Sequence, residues 1–242
     1  MKIKQPLRLI PYYISTVILL PLLLLQAIWV RFSMIKLPEA LGERSGSTGN
    51  GSPISLLIIG DSATAGVGTH EQKNALSGQL SNNLAINNQV NWQLVASTGL
   101  TSTQLINEIE KLETQTFDFI LVSIGVNDVT GLTKESLWVS NIEAIVSLCS
   151  TKFGTPKVLL TALPPMHLFT GIMQPLRWWL GVRAKRLNTL MMQTTANYSQ
   201  CCVLTIDIPF TSEYLAQDGF HPSALAYGVW AEQAATALKL ST

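Results

Sequence analysis

"LLIIGDSATAGVGT", residues 56–69, decides the fold. With Ile54 and Ser55 before it, the apolar run "ISLLIIG" (54–60) has no polar alternation. Such a run marks a strand buried on both faces, as in a parallel sheet covered by helices. It ends in Gly60-Asp61-Ser62 and then in a chain of glycines and small residues. Two readings share this backbone physics. Ser62 is a nucleophile presented at a strand end, or the glycines form a loop that cradles a phosphate. The rest of the chain has to decide between them.

The pattern recurs downstream. "NWQLVAST" (91–98), "FDFILVSIG" (117–125), "PKVLLTALP" (156–164) and "CCVLTIDIP" (201–209) read as further strands. Helical stretches separate them at 71–86, 102–114, 134–152 and 175–200, and a last helix follows His221-Pro222. In the 134–152 helix, Leu137, Ile142, Ile145, Val146 and Cys149 are expected to face inward. The alternation predicts an α/β fold, a flavodoxin-like three-layer sandwich around a five-stranded parallel sheet. Sites in such sheets lie at the carboxyl ends of the strands. That places Ser62, Gly99, Asn127 and Asp128 in one crevice.

The chain has 242 residues, enough for one well-buried domain. Charged residues are only 13% of it, about half the usual share, and the N-terminus explains the shortfall. From Ile10 to Val30 there are 21 residues without a charge, the length of a bilayer-spanning helix. Pro11 and Pro21 are tolerated in such a helix, and Tyr12, Tyr13 and Trp29 suit the two interfaces. A cleaved signal peptide is the rival, but "RFSMIKLPEA" offers no clean cleavage site. We therefore expect residues 1–36 to be a signal-anchor transmembrane helix. "GERSGSTGNGSP" (42–53) belongs to a flexible linker at 37–53, and the soluble domain occupies 54–242. Lys2, Lys4 and Arg8 before the span outnumber Arg31 and Lys36 after it. The positive-inside rule then places the N-terminus in the cytoplasm and the domain on the outer side of the membrane, or in the medium if the helix is cleaved. Residues 1–36 carry five basic and no acidic residues, and the remainder eleven basic against fifteen acidic, a net of −4. A mildly acidic domain has no electrostatic basis for binding nucleic acid. Cys149, Cys201 and Cys202 form neither a disulfide framework nor a metal-ligand spacing, and read as small buried hydrophobes.

A serine hydroxyl needs a base to take its proton, and the base needs an orienter. His70 lies in a polar stretch and reads as a solvated surface residue. His167, in "LPPMHLF", is placed to line a pocket. His221, in "AQDGFHPSA", follows Asp218 by three residues, a spacing that lets the carboxylate curl back to Nδ1 and leaves Nε2 for the serine. His221 is the best base of the three. Each piece alone has a plain alternative: Asp218 as a helix cap, "GDS" as a common turn, "GVND" as an Asx turn. Their joint order is the signal.

"GDSATAG" (60–66), Gly99 in "ASTGLTS", "GVND" (125–128) and "DGFH" (218–221) resemble the four sequence blocks of the SGNH, or GDSL, hydrolases. The resemblance covers residues 54–240 and is nearest to bacterial lysophospholipase- or arylesterase-type members. The chain lacks the G-x-S-x-G elbow of α/β-hydrolases, because Thr64 stands where the second glycine belongs. The resemblance implies Ser62 as nucleophile, His221 as general base and then acid, and Asp218 as its orienter. It implies an oxyanion hole from the N–H groups of Ser62 and Gly99 and the amide of Asn127. Asp61 and Asp128 would brace loops by accepting backbone hydrogen bonds, and no metal or other cofactor is required.

The substrate implied is a small-molecule or lipid-derived carboxylic ester, such as a lysophospholipid, acyl or aryl ester. An O-acetyl esterase or acetyltransferase of envelope polysaccharide uses the same triad. A phosphate-binding module leaves Asn127, Asp218 and His221 without a role and lacks the Gly-Lys-Ser/Thr ending of a Walker loop. Within "PPMHLFTGIMQPLRWWLGVR" (164–183), Met166, Phe169 and Trp178, with Met173 and Trp179, are candidates for an acyl-binding wall. Alternatively the tryptophans bury the helix against the sheet, or the segment meets the bilayer through Arg177, Arg183, Lys185 and Arg186.

Overall fold

The apolar run at 54–60 lies inside a six-stranded sheet in the computed structural model, which describes residues 9–240. In chain order the strands are β1 (Ser45–Thr48), β2 (Ser52–Gly60), β3 (Asn88–Ala96), β4 (Phe119–Ser123), β5 (Lys157–Thr161) and β6 (Cys201–Leu204). Their order across the sheet is β1-β3-β2-β4-β5-β6. The pairs from β3 to β6 are all parallel, and β1 runs antiparallel on the edge of β3. The helices are α1 (Leu9–Ser33), α2 (Leu76–Leu84), α3 (Ser102–Lys111), α4 (Val126–Thr130), α5 (Glu135–Lys152), α6 (Leu176–Thr195) and α7 (Ala224–Leu240).

The central strands are unbroken apolar runs because both faces are covered. Leu57 and Ile59 of β2, with Ile120 and Val122 of β4, join a core built with α3, α5 and α6. Leu56 and Ile58, with Leu121 of β4, turn the other way onto Leu76 and Leu80 of α2 and Tyr227 and Ala231 of α7. All seven β2 and β4 side chains are fully buried, each contributing roughly 1.5–3 kcal/mol on leaving water.

Three expectations change. The sheet has six strands rather than five, and the extra one falls in the stretch read as a flexible linker. Gly- and Ser-rich sequence carries little strand propensity, so β1 forms on backbone pairing, Ser45 opposite Gln93 and Thr48 opposite Val90, with one side-chain bond from Gln89 Nε2 to Ser47 Oγ. Ala40, just before it, is buried. In α5, Leu137 is 45% exposed and its neighbour Trp138 is fully buried instead, with Nε1 donating to the Leu187 carbonyl at 3.0 Å. Cys149 is buried as expected, but Cys201 is half-buried and Cys202 exposed; none is in a disulfide.

The N-terminal helix α1 reaches a mean hydropathy of 2.1 over an 18-residue window within Pro11–Ser33. Lys2, Lys4 and Arg8 lie outside the described residues. One stripe of α1 docks on α6: Tyr12 stacks on Trp179 at 6.0 Å, and Trp179 Nε1 donates to Thr16 Oγ1 at 2.8 Å. Gln26 donates to the Gln174 carbonyl at 2.7 Å and accepts from the Leu176 N–H at 3.0 Å. The opposite side, including Val17, Ile18 and Phe32, is apolar and exposed.

Candidate active site

The ends of three strands create the site. Gly60, the last residue of β2, pairs with Ala96 of β3 on one side and Ser123 of β4 on the other. The chains leaving these strands carry Ser62, Gly99 and Asn127 out of the same edge. The Ser62 loop is a run of turns, not a helix start; the next α-helix, α2, begins only at Leu76. Four of its N–H groups are engaged internally: Ala63 to Asp61 Oδ1, Ala65 to the Asp61 carbonyl, Gly66 to Ala63 and Val67 to Ser62. A phosphate cradle needs these donors open. The glycines instead allow close approach. Gly68 has φ +104°, and a Cβ there would sit 2.2 Å from the Pro222 carbonyl oxygen. That contact brings the serine loop against the loop of His221. The Tyr227 hydroxyl, from α7, reaches the carbonyls of Ala63 and Val67 at 2.8 and 2.7 Å and ties the turn down. Burial, with Asp61 and Asp218 nearby, holds its pKa well above the usual tyrosine value, so it stays a donor.

Ser62 Oγ lies 2.9 Å from His221 Nε2, across 159 residues of chain. On the far side of the ring, His221 Nδ1 lies 2.6 Å from Asp218 Oδ2. Asp218 Oδ1 accepts the N–H groups of Phe220 and His221 at 3.0 and 2.9 Å, which fixes the carboxylate in a tight turn. Burial alone would raise the Asp218 pKa. The His221 side chain and the two N–H donors outweigh it and hold the carboxyl below its ordinary value.

Asn127 sits in α4, and its Nδ2 donates to the Leu100 carbonyl at 2.9 Å. That bond turns the amide toward the β3 loop and leaves its second hydrogen uncommitted. Gly99 adopts φ +88°, with open space where a Cβ would stand. The N–H groups of Ser62 and Gly99 have no acceptor among the described residues. Asp128 is fully buried and accepts the N–H of Ser102 at 2.8 Å and its hydroxyl at 2.6 Å, bracing α4 against the start of α3. Asp61 is also buried, and desolvation pushes its pKa up to about 7, despite the Ala63 N–H and the nearby His221. Among the described residues no group of three or more His, Cys, Asp or Glu side chains is placed to hold a metal ion.

A mainly apolar cavity of about 110 Å³ opens beside Ser62 and His221, with Ile124, Leu163, Phe169, Ile206 and Phe210 among its walls. Of the five wall candidates from the sequence, only Phe169 lines it. Its ring packs on Phe220 at 4.8 Å, next to His221. Met166 is buried in the core under α6, and Trp178 turns to Tyr12 of α1, 6.3 Å away. Trp179 is half-buried against the core and stacks on Tyr12 of α1. Phe210 and Tyr214 line the cavity without having been singled out, since their loop carries no periodic signal. His70 and His167 are exposed. Three of the four basic residues have protein partners: Arg177 binds the Phe169 carbonyl, Arg183 those of Val129 and Thr133, and Arg186 pairs with Glu135.

A family model described as GDSL-like Lipase/Acylhydrolase matches residues 58–229, which include every one of these groups. The chain belongs to this family. As a GDSL-type hydrolase it shares its fold with solved structures of low sequence identity. A lipase/acylhydrolase from Enterococcus faecalis is 20% identical, with TM-score 0.59 over 77% of this chain and 95% of that one. The psychrotrophic esterase EstA from Pseudoalteromonas sp. is 17% identical, with TM-score 0.60 over 77% and 97%. The acetylxylan esterase Axe2 from Geobacillus stearothermophilus is 16% identical, with TM-score 0.53 over 78% and 95%. No curated protein sequence matches the chain. The GDSL block itself corresponds to Gly60-Asp61-Ser62, at the strand end where the opening question was posed.

Proposed function

We propose that this GDSL-type hydrolase is a serine esterase working through a Ser62–His221–Asp218 triad and an acyl-enzyme. The observation that carries the reading is the unbroken hydrogen-bonded line from Ser62 Oγ through the His221 ring to Asp218, at 2.9 and 2.6 Å. Ser62 Oγ attacks the ester carbonyl carbon as His221 Nε2 takes its proton. The oxyanion accepts from the N–H groups of Ser62 and Gly99 and the free amide hydrogen of Asn127. Collapse expels the alcohol, which takes the proton from His221. Water then attacks the acyl-enzyme, again giving its proton to Nε2, and releases the carboxylic acid and the free serine. Asp218 keeps Nδ1 protonated throughout, so Nε2 faces the serine as an acceptor. A fluorophosphonate probe is expected to add one label, on Ser62 by peptide mass spectrometry; labelling elsewhere, or none, overturns the assignment.

A second reading, removal of acetyl groups from envelope polysaccharide, is favoured by the cavity size. At about 110 Å³ it is smaller than the engineered cavity of roughly 150 Å³ that holds benzene, and suits a short acyl group. That one of the fold neighbours is an acetylxylan esterase supports this direction. With p-nitrophenyl esters from acetate to laurate, kcat/KM is expected to peak at about two to four carbons, by the same volume argument. A peak at octanoate or beyond would instead support a lipid substrate such as a lysophospholipid.

We place the domain on the outer side of a bacterial inner membrane, held by α1 as a single-pass anchor. Its apolar outward face supports this; a secreted form released by cleavage is the alternative. We read the sandwich as flavodoxin-like, because the five parallel strands follow the order 2-1-3-4-5 among themselves. The catalytic domain of 54–242 we extend backwards into residues 37–53, on the packing of Ala40 and β1.

A further inference from the structure

The strap between α1 and β1 crosses two of the loops that build the site. The Ala40 N–H donates to the Ala65 carbonyl of the serine turn at 3.3 Å. Gln72 Nε2 donates to the carbonyls of both Ala40 and Ala65, at 3.2 and 3.0 Å, and locks strap and turn together. One residue earlier, Glu39 reaches the other loop. Its Oε1 accepts the Thr98 N–H at 2.6 Å, and its Oε2 pairs with Arg44 Nη2 at 2.5 Å. Arg44 closes the bracket by donating from Nη1 to the Ala96 carbonyl at 2.6 Å. The Glu39–Arg44 pair therefore grips the end of β3 at Ala96 and at Thr98, on either side of Ser97.

The consequence falls on Gly99. From Ser97 to Ser102, each N–H but one has an acceptor. Ser97 donates to the Gly60 carbonyl at 3.4 Å and Leu100 to that of Ser97 at 3.4 Å. Thr101 donates to Gln104 Oε1 at 2.9 Å and Ser102 to Asp128 Oδ2 at 2.8 Å. Thr98 donates to Glu39. The Gly99 N–H is left over, between a residue held by Glu39 and a residue whose carbonyl is held by Asn127. A glycine at φ +88° with open space where a Cβ would stand has no side-chain packing of its own to fix its peptide plane. Its direction is set by these two neighbours.

We propose that Glu39 is a positioning residue for the oxyanion hole, holding the Thr98–Gly99 peptide so that the Gly99 N–H points at the reacting ester. The inference rests on the reading of Gly99 as an oxyanion donor. Glu39 lies outside residues 58–229, the span matched to the family, so this clamp is supplied by the segment before that domain. The partner matters as well: Arg44 neutralises the carboxylate, so the clamp adds no net negative charge beside a developing oxyanion. Burial would raise the Glu39 pKa, but the Thr98 and Arg44 contacts overcome it and keep it below the ordinary value. The clamp is thus ionised at neutral pH.

The test uses the full chain and p-nitrophenyl acetate. Glu39→Ala is expected to lower kcat roughly ten- to a hundredfold, the range for a misplaced donor, with KM within twofold of wild type. An alkylboronic acid, whose serine adduct carries the same tetrahedral oxygen, should lose affinity in the same proportion. Glu39→Gln, which keeps an acceptor for the Thr98 N–H, should recover most of kcat, and the exposed neighbour Glu43→Ala should not change it. If Glu39→Ala does not fold, Glu39→Asp decides: one methylene shorter, it keeps its charge but falls short of Thr98, and kcat should again drop at least tenfold. Unchanged kcat in the folded variant, or a rise in KM with kcat intact, overturns the proposal. A wild-type chain that hydrolyses no ester overturns the esterase reading itself.

Discussion

Ser62→Ala and His221→Ala are each expected to lower kcat by about six orders of magnitude, and the double variant by no more than either alone. Ser62 Oγ and His221 Nε2 share one proton over 2.9 Å. Without the base the hydroxyl stays protonated, and without the hydroxyl the imidazole has nothing to activate at that distance from the ester. Either loss removes the whole covalent route, so the second substitution has no further term to delete. On the proposed mechanism the environment survives: the N–H groups of Ser62 and Gly99 and the Asn127 amide are expected still to stabilise an oxyanion made by water. That residue of activity is expected to be roughly 10³–10⁴ over the uncatalysed rate. Steady-state kinetics on p-nitrophenyl acetate check the three variants, with the folded state of each confirmed by thermal denaturation. Additive losses, or a His221→Ala variant within tenfold of wild type, would mean that the two side chains do not act as one unit.

What the sequence disclosed follows from how strongly each feature is written locally. The strands β2 and β4 were legible because burial on both faces forces an unbroken apolar run, and Leu56–Ile59 supply it. The Ser62 turn and the Asp218–His221 turn were legible because short-range spacing defines them; their meeting across the sheet was expected from the joint order of the blocks, and its closure rests on Gly68 and Tyr227, which no local pattern marks. β1 was invisible. Ser45–Thr48 has no apolar content, and only the presence of β3 beside it makes it a strand. Leu137 and Trp138 were exchanged because the phase of a helix with apolar residues on several sides is ambiguous by one position. Met166 and Trp178 were misplaced as cavity walls for another reason. Composition shows that a segment is aromatic and apolar but not which surface it covers, and α1 was not foreseen as that surface. Glu39 and Arg44 fall in the stretch expected to be a linker, and an ion pair five residues apart has no periodic signature to mark it.

Asp218→Asn separates orientation from proton transfer, because it changes one atom of the carboxylate and little else. The Asn Oδ1 can keep both N–H bonds from Phe220 and His221, now at 3.0 and 2.9 Å, so the turn survives. The amide nitrogen must then occupy the place of Oδ2, 2.6 Å from His221 Nδ1. As a donor only, it forces Nδ1 to become an acceptor and moves the ring proton to Nε2. That nitrogen then donates to Ser62 Oγ and cannot take its proton. The expected loss in kcat is about 10⁴-fold, the cost of holding the wrong tautomer in an intact geometry. Stability should respond with a definite sign. The Asp218 carboxyl is held below its ordinary value by His221 and the two N–H groups. Its contribution is therefore complete above the unfolded carboxylate pKa of about 3.9 and is lost as the pH falls from there through the folded value. Urea unfolding at pH 7 and pH 3 is expected to show a smaller acid-side loss for Asp218→Asn than for wild type. An equal acid-side loss, or a kcat within tenfold of wild type, would show that Asp218 neither carries a charge for His221 nor sets its tautomer.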